Sequence, residues 1–158
     1  MFLEKHWKSV ISRSICDYFF DAQSKSTDGV VPPVIATPHH FLICVNRNSI
    51  DLVAVTLNEV PPLFVVEFLH RVFDTLNEYF DATEGNIKEN SVIVYELLDE
   101  MLDNGFPLAT ESNILKELIK PPNILRTVVN SVTGKTKYVY LETKESTYNS
   151  FMSSFVFY

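Results

Sequence analysis

Histidines, cysteines and a run of carboxylates are the residues here with which chemistry would be done. His39 and His40 are adjacent. On a strand, neighbouring positions point to opposite faces, so two such ligands do not converge on one metal ion. His6 and His70 have no ligand partner at useful spacing, and the paired Cys or His of a zinc site is absent. All four histidines therefore read as structural. Cys16 with His39 or His40 would be a nucleophile and base, but Cys16 follows Ile15 in an amphipathic pattern. A small buried hydrophobe is expected there rather than a reactive thiolate. Cys16 and Cys44 can pair in principle; in a cytosolic chain they read as two buried thiols. Glu96, Asp99, Glu100 and Asp103 recur at a spacing that lines one helix face, the usual meaning of such a run, rather than a catalytic pair. With four glycines and no G-x-G-x-x-G or Walker-type loop, nucleotide chemistry is not expected. No catalytic, cofactor-binding or metal-binding residue is assigned, and no cofactor is expected. Trp7, the only tryptophan, suits a core or an interface hot spot equally.

The elements that would position these residues follow from periodicity. Phe2 to Trp7 is short and aromatic and reads as a strand. Ser9 to Lys25 carries Ile11, Ile15, Tyr18, Phe19 and Ala22 at helical spacing, with Ser9 as N-cap. Ser24 to Pro33 reads as a loop. Val34 to Thr37 is a short extended piece bounded by prolines, which places it at a sheet edge. His40 to Val45 and Leu52 to Leu57 are β-rich runs joined through Asn46-Arg-Asn-Ser49, a predicted hairpin. Glu59 to Phe80 is the strongest helix: Val66, Leu69, Phe73, Leu76 and Phe80 recur in steps of three and four, and Pro61 and Pro62 suit its first turn. Its phenylalanines (Phe64, Phe68, Phe73, Phe80) surround more than one face. Such a helix is central to its domain or covered by a partner. Asp81 to Asn90 reads as a polar loop, and Ser91 to Asn104 as a third long helix with Leu97, Leu98, Met101 and Leu102 on one stripe. Asn104-Gly105 is expected to be its C-cap, with Pro107 beyond it. A short helical pattern through Ile114, Leu115, Leu118 and Ile119 ends at Pro121-Pro122. Strands around one helix, then further helices, predict an α+β fold: an antiparallel sheet with helices on both faces.

Composition narrows the class further. At 158 residues the chain suits one domain, and 46% hydrophobic with 21% charged residues is an ordinary globular balance. A net charge of −7 without Lys/Arg clusters argues against nucleic acid and anionic lipid as direct partners. The opening residues do not read as a secretory signal, no apolar run is long enough to span a bilayer, and no Asn-x-Ser/Thr sequon occurs. A cytoplasmic location is expected.

The stretch from Glu96 to Pro122, ELLDEMLDNGFPLATESNILKELIKPP, resembles the medium (mu) chain of vesicle-coat adaptor complexes, in particular that of the third adaptor protein complex, in its N-terminal longin-like domain. Phe2 to Lys8 (FLEKHWK) looks like the family's second strand, Val31 to His40 (VPPVIATPHH) like the edge strand after its first helix, and Glu59 to Arg71 (EVPPLFVVEFLHR) like the start of its long second helix. The likeness runs in register from about Phe2 to Val132. It implies a longin-like domain at residues 1–125 and a divergent tail at 126–158 in place of the family's linker and cargo-binding domain. It further implies that the family's usual first strand, in the middle of the sheet, is lacking ahead of Phe2. Lys137 to Leu141 or Phe151 to Tyr158 has the strand character to occupy that slot. Tyr138-Val-Tyr-Leu141 also fits the tyrosine-x-x-bulky pattern of the signals that family reads, although a strand explains it better.

The resemblance implies a non-catalytic subunit in intracellular protein transport between Golgi, endosomes and lysosome-related organelles. It would dock on a large adaptor chain within a heterotetramer of large, medium and small subunits. Peripheral membrane association would come through the complex, on the cytosolic face of Golgi, endosomal and transport-vesicle membranes. Neither nucleic acid nor cargo-signal binding is expected of this chain. The alternative is a longin-type regulatory module for small GTPases or membrane fusion; residues 126–158 show no heptads that would support a fusion segment. Sequence does not show which residues bind the partner.

Overall fold

Two apolar runs joined by two residues of positive φ build the centre of the fold. Phe41–Arg47 (β3) and Ile50–Thr56 (β4) pair antiparallel, Arg47 beside Ile50. The turn is Asn48-Ser49 alone, at φ 50° and 61°. Positive φ at both central residues marks a type I′ turn, whose twist matches that of the flanking strands. The computed structural model describes residues 3–7, 10–26, 30–122 and 154–157, the last four as backbone.

The element order is β1 (Leu3–His6), α1 (Ile15–Lys25), β2 (Val34–Ala36), β3, β4, α2 (Pro62–Phe80), α3 (Glu84–Glu89), α4 (Ser91–Met101), β5 (Leu102–Asp103), β6 (Phe106–Pro107), α5 (Ser112–Leu118) and β7 (Ser154–Phe157). The main sheet is antiparallel, in the order β1-β7-β4-β3-β2, with a small β5-β6 ribbon apart from it. Alternation in β3 and β4 divides the core by face. Ile43, Val45, Leu52 and Ala54 join Leu69, Val72, Phe73, Leu76, Leu97 and Leu98 in one cluster, under α2 and α4. Leu42, Cys44, Val53 and Val55 join Ile15, Cys16 and Phe19 in the other, under α1. Because both faces are covered, β3 and β4 are apolar at consecutive positions rather than at every second one. This is the α+β arrangement of a longin-like domain, an antiparallel sheet flanked by helices.

Several boundaries differ from the sequence-based expectation. Helix α1 starts at Ile15 after Ser14; Ser9, the expected N-cap, lies outside the described residues. Tyr18 is 43% exposed rather than part of the apolar face. On α2 the buried stripe runs through Val65, Phe68, Leu69, Val72, Phe73, Thr75, Leu76 and Tyr79, so Val65 takes the inward place expected of Val66. Within the expected polar loop, residues 84–89 form α3: the Thr83 side chain accepts from the Asn86 N–H as an N-cap, and Ile87 is fully buried beneath it. One apolar anchor in a polar segment is too little periodicity to mark a helix. The third long helix ends at Met101, not Asn104. Asn104-Gly105 is a second type I′ turn, at φ 49° and 82°, joining Leu102–Asp103 to Phe106–Pro107. The left-handed preference of Asn-Gly serves a helix cap and a tight hairpin equally, and tertiary context selected the hairpin.

Residues 154–157 form β7 between β1 and β4, antiparallel to both. Lys137 to Leu141, the other segment with strand character, lies outside the described residues.

Candidate assembly surface

The residues that might have done chemistry are held apart or locked in structural roles. His39 and His40 lie in the connection between β2 and β3, not on a strand. The His40 carbonyl accepts from the Thr37 N–H and the Thr37 hydroxyl, each at 2.8 Å, and the His40 N–H donates to that hydroxyl oxygen at 3.0 Å. Thr37 thereby fixes a tight turn, which explains the local sequence without a ligand. Cys16 and Cys44 are free, buried thiols in the α1-side cluster, and burial pushes the Cys44 thiol up to about 12. A thiol so far from ionising behaves as a small hydrophobe. Glu96, Asp99, Glu100 and Asp103 lie exposed on α4 and its continuation. Among the described residues no group of three His, Cys, Asp or Glu is gathered where it would hold a metal, and no helix is long and apolar enough to cross a membrane. Tyr138 to Leu141 lies outside the described residues.

Charged and aromatic side chains instead tie elements together. Arg47, at the tip of β3, places its guanidinium 4.7 Å from the Phe73 ring centroid, 3.0 Å from His70 Nδ1 and 3.1 Å from Asp74 Oδ1. One side chain so joins the central hairpin to α2. Lys5 reaches Asp99 at 2.6 Å, and the Tyr95 hydroxyl donates to the Glu4 carbonyl at 3.0 Å, both joining β1 to α4. Glu4 also meets Arg13 at 2.7 Å, and that hydrogen bond lowers its carboxyl below the usual value. Trp7 is partly buried against the α2-side core, without a hydrogen-bond partner for its indole N–H among the described residues. His6 Nδ1 and Thr56 Oγ1 are buried in the same way.

An open groove of about 730 Å³ lies between α2 and the segment from β6 into α5. Several of its charged side chains are paired. Glu67 meets Arg71 at 3.1 Å on α2, and Lys116 donates to Glu78 at 2.6 Å across to α5. The Ser112 hydroxyl donates to the same Glu78 carboxylate. Hydrogen bonds from Lys116 and Ser112 hold the Glu78 carboxyl below its ordinary range. The Tyr79 hydroxyl, donating to the Ile119 carbonyl at 3.0 Å, secures the same contact. Beside these paired charges, large apolar side chains stand out from the surface. Leu63 and Phe64 at the start of α2 are 82% and 49% exposed, and Phe106 and Leu108, on either side of Pro107, are 49% and 69% exposed. Phe64 and Pro107 both line the groove. An open groove flanked by exposed apolar side chains suits a protein face better than a small polar ligand. Sequence reading found the apolar excess on α2 but not this rim. Phe64 of α2 and Pro107 of β6 line one groove although no sequence spacing relates them.

The fold is that of a longin-like α+β domain, an antiparallel sheet flanked by helices. No family model matches the chain. It is 69% identical over 138 residues to AP-3 complex subunit mu-2 of Homo sapiens. To AP-3 complex subunit mu-1 it is 68% identical for Pongo abelii and 67% for Bos taurus, again over 138 residues. Each match covers 86% of this chain and 33% of the relative. The chain is a homologue of the AP-3 medium subunits and spans about a third of their length.

Proposed function

We propose that this chain is a non-catalytic assembly module of an AP-3-type adaptor complex, docking on a large adaptor chain in a heterotetramer that also holds a small subunit. The observation that carries this reading is the 69% identity over 138 residues to an AP-3 medium subunit. The same identity favours it over regulation of small GTPases. Leu63, Phe64, Phe106 and Leu108 are the proposed contact, because they are large apolar groups left exposed at, or next in sequence to, residues that line the groove. Association with Golgi, endosomal and transport-vesicle membranes would be peripheral and through the complex. Cargo-signal binding is not assigned to these residues.

The test is affinity purification of the tagged chain from cells, with mass spectrometry of the eluate, beside a Leu63→Asp/Phe64→Asp variant. Adaptor large chains are expected with the parent and lost with the variant, while thermal unfolding of the two stays alike. An eluate without adaptor chains removes the reading. Equal capture by both forms keeps the function and moves the contact elsewhere.

A further inference from the structure

We propose that the gap between β1 and β4 is a strand-accepting site, and that residues 154–157 occupy it as a tethered, separable ligand. Register shows how the site is built. Val156 lies beside Glu4 on one side and Val53 on the other, and Phe155 beside Lys5 and Ala54. Each β7 residue is therefore shared between two antiparallel neighbours, and β1 reaches the rest of the sheet only through it. Without β7, the edges of β1 and β4 that face each other would present unpaired backbone groups, the condition under which a sheet takes up an added strand.

Chemistry defines the occupant. Alternate residues of β4 belong to the two cores: Leu52 and Ala54 on the α2 side, Val53 and Val55 on the α1 side. A strand beside it must offer apolar groups at successive positions, not at every second one. Phe155, Val156 and Phe157 form such a run. The smallest residue of β4, Ala54, stands in register with the bulky Phe155. The class of ligand is thus a short extended peptide, apolar at consecutive positions and antiparallel to both neighbours. β1 is held independently by Lys5 on Asp99 and by Tyr95 on the Glu4 carbonyl, so the far wall of the site stays anchored to α4 whatever fills the slot.

Two measurements on the full chain test this. In the first, Glu4→Cys/Val156→Cys is oxidised beside an off-register Glu4→Cys/Ser154→Cys control. A disulfide confined to the monomer of the first pair is expected; bonds only between chains, or equal bonding in both pairs, overturn occupancy within one chain. In the second, a protease site is inserted after Gly134 and cut. The fragment carrying residues 154–157 should co-elute with the body and be displaced by excess labelled peptide of residues 148–158. In a cleavable Val156→Pro chain it should separate on cutting, since proline cannot donate to a central ladder. Immediate loss of the unsubstituted fragment, its failure to exchange with peptide, or equal retention of the proline fragment would each overturn the proposal.

Discussion

Replacing Leu69 by alanine is the sharpest probe of how α2 holds the fold together. Leu69 is fully buried in the cluster that α2 shares with β3, β4 and α4. Truncation removes the transfer free energy of the lost methyl and methylene groups. It also opens a cavity, because α2 is pinned to the sheet by Arg47 and to α5 by Glu78 and cannot slide inward to fill it. Both effects together cost about 2–5 kcal/mol for a buried leucine. With ~3 kcal/mol and a urea slope of ~2 kcal/mol per M, the unfolding midpoint should fall by roughly 1.5 M. Leu69→Asp should be worse, because an unpaired carboxylate would be enclosed by apolar groups. The control is Leu63→Ala on the same helix. Leu63 is 82% exposed, and its loss should change stability by no more than about 0.5 kcal/mol. Equilibrium urea unfolding followed by far-UV circular dichroism reads both. If Leu69→Ala leaves the midpoint where it was, or if Leu63→Ala costs as much, the assignment of α2's inward stripe is wrong.

Arg47→Met should cost ~1 kcal/mol in the same urea assay, since the Asp74 pair is half exposed and screened and the contact over Phe73 adds only a modest term. A loss above ~3 kcal/mol would show that the hairpin tip matters more than its exposure allows. Gly105→Ala should cost ~1 kcal/mol, because φ 82° is a left-handed conformation that disfavours a Cβ; an unchanged midpoint would refute the turn assignment. The Glu78 clasp on α5 should respond to acid. Its folded carboxyl is depressed below the ordinary 4.5, so its contribution is present above that value and lost as pH falls through the folded one. The protection of residues 112–118 against hydrogen exchange, relative to the intrinsic rate at each pH, should therefore fall below about pH 4.5 in the parent, whereas Glu78→Gln should already be less protected at neutral pH and lack that step. Identical profiles would show that the clasp is not formed in solution.

Local periodicity in the sequence determined the central hairpin, the long α2 and the short α5, because each is specified by residues within a few positions of one another. It also determined the reading of the cysteines as buried thiols, and both are buried and free. Matched sequence words carried the family likeness, which spacing alone would not have reached. Tertiary structure decided the rest. Asn104-Gly105 carries one conformational preference with two uses, and only the pairing of Leu102 with Pro107 made it a hairpin rather than a cap. Helix α3 depends on a cap at Thr83 and a buried Ile87, a signal confined to two residues. The apolar rim joins residues from α2 and β6 that no spacing relates. Above all, the middle strand comes from the far end of the chain. Residues 137–141 and 151–158 both have strand character, and propensity does not choose between them. The choice rests on backbone hydrogen bonding to β1 and β4, and such non-local pairing is invisible to any window of the sequence.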